Sequence, residues 1–390
     1  MHVLYFNNGS GLGAAKSGGT TRLIETARRL GERGVAVSIV TTHGALTLFR
    51  EEKLLARFFL VRASLISMRE RNNLDRAWGY ILSTLHSLLL ILRLPKCDVV
   101  YAPSDYFCDV LPAVAYKFAR PSTRFVAMIH HRCRPPKQRR GNLLINLASY
   151  LVQRFSFWFV ARYADQVFVY DTPEGEVIGD YFRGRGVRAV TPVANGITLA
   201  AIDQVPAGSV TYDACFVGGL RASKGIYDLI PIWQGVQKRF QTARLVIIGG
   251  GTPSVTADFR ARIAAAGLSD HIILLGALPS GEFYRVMKMS RVCISTSHEE
   301  GWGIAICEAL ACGLPVVAYS LPAFAFLRGY LDEVPQQDHV GFVGKVLRIL
   351  SDSEYAIERG LAGRIFIRQY DWDAIAVEEL RLLRAENYCV

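Results

Sequence analysis

No two of the eight cysteines form a Cys-x-x-Cys pair; they are Cys97, Cys108, Cys133, Cys215, Cys293, Cys307, Cys312 and Cys389. That spacing excludes the usual zinc and thioredoxin-type motifs. Several lie inside apolar runs, as Cys215 does in ACFVGG and Cys293 in RVCIST. Such thiols are expected to be buried in a reducing compartment, not paired in disulfides. Unbroken apolar runs of about 20 residues, the length of a membrane span, are also missing. Tyr80–Leu92 stops after 13 residues, and Leu143–Val160 is interrupted by Gln153 and Arg154. Met1–Phe6 reads as a strand and not as a signal peptide, so the expected location is the cytoplasm. No cluster of His, Asp and Glu stands at ligand spacing, so no metal site is expected. With no recognised nucleic-acid module, a nucleic-acid partner is not expected either.

Acid is scarce in one half only. Residues 1–200 hold 27 Lys and Arg against 14 Asp and Glu, and the remainder holds 18 against 20. The net charge of +11 therefore resides in the first half. An anionic partner is expected there: a lipid surface or a phosphorylated acceptor. The dense basic loop Arg132–Arg140, followed by the Leu-, Phe- and Trp-rich stretch Asn142–Arg162, fits docking on an anionic membrane. It fits equally a core helix with a basic entry.

What the chain does contain is apolar material for two ordinary cores: 390 residues, 51% hydrophobic and 20% charged. Residues 2–6 read as a strand, Asn7–Gly19 as a Gly-rich loop, Thr20–Arg33 as a helix and Val35–Val40 as a second strand. This strand–loop–helix–strand order marks a parallel sheet. Further buried strands are predicted at 98–101, 124–129 and 166–170. The alternation breaks at the Asn-Gly of Val193–Ile197 and restarts at Tyr212–Val217, with strands at 244–248, 271–275, 292–295 and 315–318. Residues 371–388 read as a final helix. The expected class is α/β, with doubly wound domains over 1–197 and 209–370.

The most informative segment is Ser297–Ala318, SHEEGWGIAICEALACGLPVVA. Gly301 and Gly303 allow a tight turn into a helix over Ile304–Ala311, which Gly313 and Pro315 would end. The N-terminus of that helix suits a diphosphate. Glu300 lies in the loop at that end, and Glu308, eight residues on, can accept hydrogen bonds from a ribose diol.

This segment resembles the Glu-x7-Glu motif of the family 4 retaining glycosyltransferases, which have the GT-B fold of two Rossmann-like domains facing each other across a cleft. Trp302 stands where the family has Phe. Cys215–Ile230 resembles the family's phosphate-clamp loop, Leu245–Gly251 its Gly-ended strand, and Val193–Ile197 its hinge. Tyr370–Asp373 resembles the start of its final helix, which the resemblance returns to the N-terminal domain.

The resemblance implies a nucleotide-sugar donor, UDP- or GDP-linked, with no cofactor and no metal. It also implies retention at the anomeric carbon. Glu300 would contact the donor sugar, Glu308 the ribose and Lys224 the diphosphate, with Gly301, Trp302, Gly303 and Ile304 around it. The family's phosphate-binding Arg falls at Gly219, and Arg221 would substitute. Gly18 and Gly19, at a helix start, would lie against the diphosphate. His130, at the end of strand 124–129, would stand near the reacting centre. The expected acceptor is a glycan or lipid-linked sugar, with the protein peripheral on the inner face of a membrane.

Two other readings stay open. Gly9–Ala14 fits a loose dinucleotide fingerprint, but Thr41, Thr42 and His43 occupy the end of the next strand, where a nicotinamide enzyme wants an acid. A catalytically silent GT-B protein would also carry these motifs, and Gly219 keeps that reading alive.

Overall fold

The structure is a computed structural model describing residues 1–9, 17–61, 73–139 and 142–385. The loose fingerprint within Gly9–Ala14 lies largely outside those residues, as do Arg140 and Cys389. Contacts divide the chain into two units, residues 1–195 with 372–390, and 196–371.

The first unit runs β1 (His2–Asn7), α1 (Gly18–Glu32), β2 (Ala36–Thr41), α2 (His43–Glu51), β3 (Arg57–Leu60), α3 (Asn73–Leu90), β4 (Val99–Ala102), α4 (Phe107–Ala119), β5 (Arg124–Ile129), α5 (Leu143–Tyr163), β6 (Gln166–Tyr170), α6 (Pro173–Arg183) and β7 (Ala189–Val193). Its seven strands are parallel in the order β3-β2-β1-β4-β5-β6-β7. Val3–Phe6 and Phe125–Ile129 are buried throughout, because helices cover both faces of such a sheet. The order reverses between β1 and β4, the topological switch point where α/β folds gather ligands at strand carboxyl ends. Side-chain caps begin the helices: Ser17 accepts from Thr20 N at α1, and Thr172 from Gly175 N at α6, with Pro173 at the first helical position.

The second unit runs α7 (Leu199–Gln204), β8 (Tyr212–Val217), α8 (Leu229–Gln237), β9 (Leu245–Ile248), α9 (Pro253–Ala265), β10 (Ile272–Gly276), α10 (Ser280–Lys288), β11 (Ser290–Ser295), α11 (Ile304–Ala311), β12 (Val316–Tyr319), β13 (Asp332–Val334), α12 (His339–Ser351) and α13 (Ser353–Ile367). Its six parallel strands stand in the order β10-β9-β8-β11-β12-β13. Trp233, Phe216, Phe259 and Tyr319 anchor its core.

The last helix, α14 (Trp372–Arg384), belongs to the first unit. Its Glu379 forms a buried ion pair with Arg22 of α1 and accepts from Tyr101 OH at 3.2 Å. Arg124 donates to the Ala385 and Leu383 carbonyls at 2.6 and 2.5 Å, placing a cation at the negative end of the helix.

Segment α5 is longer and more open than its sequence implies. It runs 21 residues, has the length and composition of a membrane span, and is largely uncovered by the rest of the protein.

Candidate functional site

In the second unit the loop that resembles the family's phosphate clamp leaves β8 and turns at Lys224 and Gly225. Gly225 has φ 68°, and a Cβ there would strike the Thr296 carbonyl oxygen at 1.9 Å. The turn therefore packs directly on the residue preceding Ser297, which brings two distant segments together. Lys224 Nζ donates to Glu300 Oε1 at 2.5 Å, and Ser297 Oγ donates to the same oxygen at 2.8 Å. Both side chains of the pair are more than four-fifths covered.

Gly303 caps α11 with φ 92°, and its Cβ would press on Phe324. This is the left-handed turn that aims the helix N-terminus, and only glycine adopts it without strain. Ile304 begins the helix, half-buried. Glu308 lies in its second turn and accepts from Tyr284 OH at 3.0 Å. Gly301 is half-buried in the loop between them. Trp302 differs from the expectation: its ring is 2% exposed and stacks on Phe326 at 4.9 Å, with Tyr370 edge-on. The indole is enclosed by these rings and does not reach the surface of the loop. Arg221 is exposed, yet its Nε lies 3.4 Å from where a Gly219 Cβ would stand. The guanidinium thus folds back over the position that carries the family's Arg.

In the first unit Gly18 and Gly19 open α1 and leave its first amides uncovered by side chain. A Cβ on Gly19 would come within 3.1 Å of His130 Nε2. His130, at the end of β5, is held at both nitrogens: Nε2 donates to Pro103 O at 2.7 Å, and Nδ1 accepts from Tyr170 OH at 2.7 Å. The carbonyl can only accept, which fixes this tautomer. Asn195 Nδ2 donates in turn to Tyr170 OH at 3.1 Å. His130 is therefore presented edge-on to Gly19 in a fixed orientation, with no ring nitrogen left for proton transfer in this arrangement.

Family models match almost the whole chain: one described as Glycosyltransferase Family 4 over residues 16–200, and one described as Glycosyl transferases group 1 over residues 203–356. The chain belongs to the family 4 glycosyltransferases. Among curated relatives, a phosphatidyl-myo-inositol mannosyltransferase of Mycobacterium leprae is 31% identical over 165 residues, 41% of this chain and 42% of that one. A GDP-mannose:cellobiosyl-diphosphopolyprenol alpha-mannosyltransferase of Xanthomonas oryzae is 27% identical over 163 residues, 40% of this chain and again 42% of the relative. The match thus spans less than half the length of each. Among solved structures, sucrose-phosphate synthase from Thermosynechococcus elongatus superposes with a TM-score of 0.75 at 18% identity, covering 98% of both chains. HepE from Anabaena, in complex with UDP and glucose, superposes at 0.75 with 16% identity over 98% of this chain and 99% of that one. Both likenesses establish the GT-B fold.

Membership of this family leaves several side chains that motif reading passed over. Asp228 Oδ2 pairs with His298 Nε2 at 2.9 Å, and Oδ1 lies 3.7 Å from His339 Nε2. His298 N also donates to Ser223 O at 2.8 Å. The Lys224 turn and the Glu300 loop are thereby stitched together beneath the site. In the first unit Asp109 accepts from Asn8 N and Gly9 N at 2.6 and 2.8 Å, anchoring the exit from β1. Burial pushes its carboxyl up to about 7, against the bonds from Ser104, Gly9 and Asn8 that favour the charged form. Neither aspartate sits in a recognisable motif, and only their tertiary neighbours mark them. Contrary to the expectation from sequence, one Asp-x-Asp spacing is present, Asp371-Trp372-Asp373, but both carboxylates are structurally engaged. Asp371 accepts from Leu199 N at 3.3 Å, and Asp373 pairs with Arg29 at 3.0 Å. Among the described residues no group of three or more His, Cys, Asp or Glu is placed to hold a metal.

Burial lowers the His130 pKa to about 4, outweighing the attraction of Asp105. An unfolded imidazole takes its proton near pH 6.5. Between these values the unfolded chain binds more protons, so stability should fall as pH drops from about 6.5 toward 4. Urea unfolding across that window checks this. His130→Gln should flatten the slope, and an unchanged slope would mean that another group causes it.

Proposed function

We propose that this protein transfers a sugar from a nucleotide diphosphate sugar, UDP- or GDP-linked, to a lipid-linked or membrane-proximal glycan acceptor. The anomeric configuration is retained and no metal is used. The observation that carries the reading is the joining of Lys224, Glu300 and the α11 N-terminus around one loop, with Glu308 on the same helix. A cation, uncovered amides and a helix dipole there meet the charge that develops on a leaving diphosphate. The bond from the anomeric carbon to the phosphate oxygen breaks, and the acceptor oxygen bonds that carbon on the same face. The diphosphate takes the acceptor's proton, so no side-chain base is needed, which agrees with the occupied ring of His130. The relatives named for phosphatidylinositol and diphosphopolyprenol acceptors support the lipid-linked class, and the basic first half supports a cytoplasmic, peripheral location.

Nucleotide release from a panel of UDP-, GDP- and ADP-sugars, with and without membrane lipid extract, tests this reading. Release from one donor, stimulated by lipid and unchanged by EDTA, is expected, with product anomers read by NMR. An inverted product or a chelator-sensitive rate would overturn the corresponding part.

The Asp228–His298 pair makes a separate prediction. Asp228→Ala removes the acceptor of Tyr319 OH and the carboxylate beside His298, and should cost about 1–3 kcal/mol of stability. It should also raise the donor KM, since both loops lose their tie. A stability loss with unchanged donor KM would show the pair to be purely architectural.

A further inference from the structure

Two helices of the first unit turn polar side chains inward and an apolar stripe outward. In α5 Phe157 and Val160 join the core, but the other inward side chains are the polar Asn146, Gln153 and Ser156, while Leu144, Leu147, Leu151, Phe155 and Trp158 stand 42–74% exposed. These five recur at intervals of three, four, four and three residues, which is one helix face. In α3 the buried side chains are Ser83, Thr84 and Ser87. Trp78, Ile81, Leu85 and Leu88 face outward at the same rhythm, and the stripe continues past the helix to Leu92. A helix on a solvated surface has the opposite pattern.

The rotation of both helices is set from within. Gln153 Oε1 accepts from Cys133 N at 2.7 Å, and its Nε2 donates to Asp105 at 2.7 Å and to His131 O at 3.0 Å. Ser87 Oγ accepts from Asn8 Nδ2 at 2.9 Å. Neither helix can turn its leucines inward without breaking these bonds. Helix α4 packs between them, so the two stripes belong to one layer. An exposed apolar area of this extent marks a contact surface.

Charge selects the occupant. From Val110 to Ala164 the chain has no Asp or Glu and ten Lys and Arg. Arg132, Arg134, Lys137, Arg154 and Arg162 are exposed beside the α5 stripe, and Arg93 and Lys96 follow α3. A second copy docking here would set these cations against themselves, whereas anionic headgroups neutralise them. The stripe of α5 also has Arg154 at mid-length and the Gln153 bonds behind it, which suits a helix lying in the interface and not crossing it.

We propose that the outward faces of α3 and α5 insert together into the headgroup–acyl boundary of an anionic bilayer. This holds whether or not the chain transfers sugar, so failure of either idea is visible separately. Trp233, Trp302 and Trp372 are buried, which leaves Trp78 and Trp158 as exposed reporters. The full chain is mixed with phosphatidylcholine vesicles with or without phosphatidylglycerol, some carrying brominated acyl chains. Expected are a blue shift and bromine quenching with anionic vesicles, both lost in Trp78→Phe/Trp158→Phe. Leu85→Glu/Leu151→Glu should lower partitioning about a hundredfold or more, since two leucines leave the buried face and two carboxylates meet anionic headgroups. Circular dichroism verifies that this variant folds, and the quenching of the unsubstituted protein stands without it. Absence of quenching, or partitioning indifferent to the leucine changes, would overturn the proposal. So would a lipid-free dimer in sedimentation that Leu85→Glu/Leu151→Glu dissociates, since a second copy would then be the occupant.

Discussion

Lys224→Ala is expected to lower kcat by about 10²–10³-fold, the usual cost of removing one preorganised group that meets developing charge. The structure gives this loss two sources. The ammonium that would neutralise the departing diphosphate disappears. Glu300, which now shares its Oε1 between Lys224 and Ser297, then faces the phosphate oxygens as an uncompensated carboxylate. Donor KM should move less than kcat, because charge builds up on the phosphate only as the bond breaks. Lys224→Arg should recover part of the rate, as the charge returns in a different geometry. Steady-state kinetics with the best donor of the panel checks this. A change confined to KM would make Lys224 a ground-state ligand only.

Glu308→Ala should have the complementary profile: donor KM raised about 10–100-fold, from the loss of charged hydrogen bonds worth about 1.5–3 kcal/mol, and kcat nearly unchanged. Glu308 lies in the second turn of α11, set back from the helix N-terminus and braced by Tyr284 OH. At that distance from the dipole end it would meet a ligand group remote from the bond being broken. Free nucleotide diphosphate binding, measured by calorimetry, should weaken by the same factor. Equal effects of both substitutions on KM and kcat would refute the division of roles.

The strands and the α11 helix were legible because the signals are local. Continuous apolar runs of four to five residues, such as FVAMI and ACFV, suit strands buried on both faces of a parallel sheet. Glycine and proline punctuate α11 so strongly that its limits follow from adjacent residues. Short edge strands β3, β7 and β13 were missed: Arg57, Thr191 and Glu333 interrupt their apolar pattern. Trp302 was read as a donor contact from its place in the motif, but its neighbours Phe326 and Tyr370 come from other parts of the chain and enclose it.

The helices α3 and α5 show the same division from the other side. Their apolar content was plain in the sequence, yet a list of leucines does not say which face is turned inward. Asn8, Cys133 and Asp105 decide that through bonds to Ser87 and Gln153. By itself the sequence determined the α/β alternation, the restart after Val193–Ile197 and the Glu300–Glu308 segment, because each depends on spacing along the chain. Tertiary structure decided the Lys224–Glu300 pairing across 76 residues, the role of Asp228 and the outward stripes, because burial and partnership belong to residues distant in sequence.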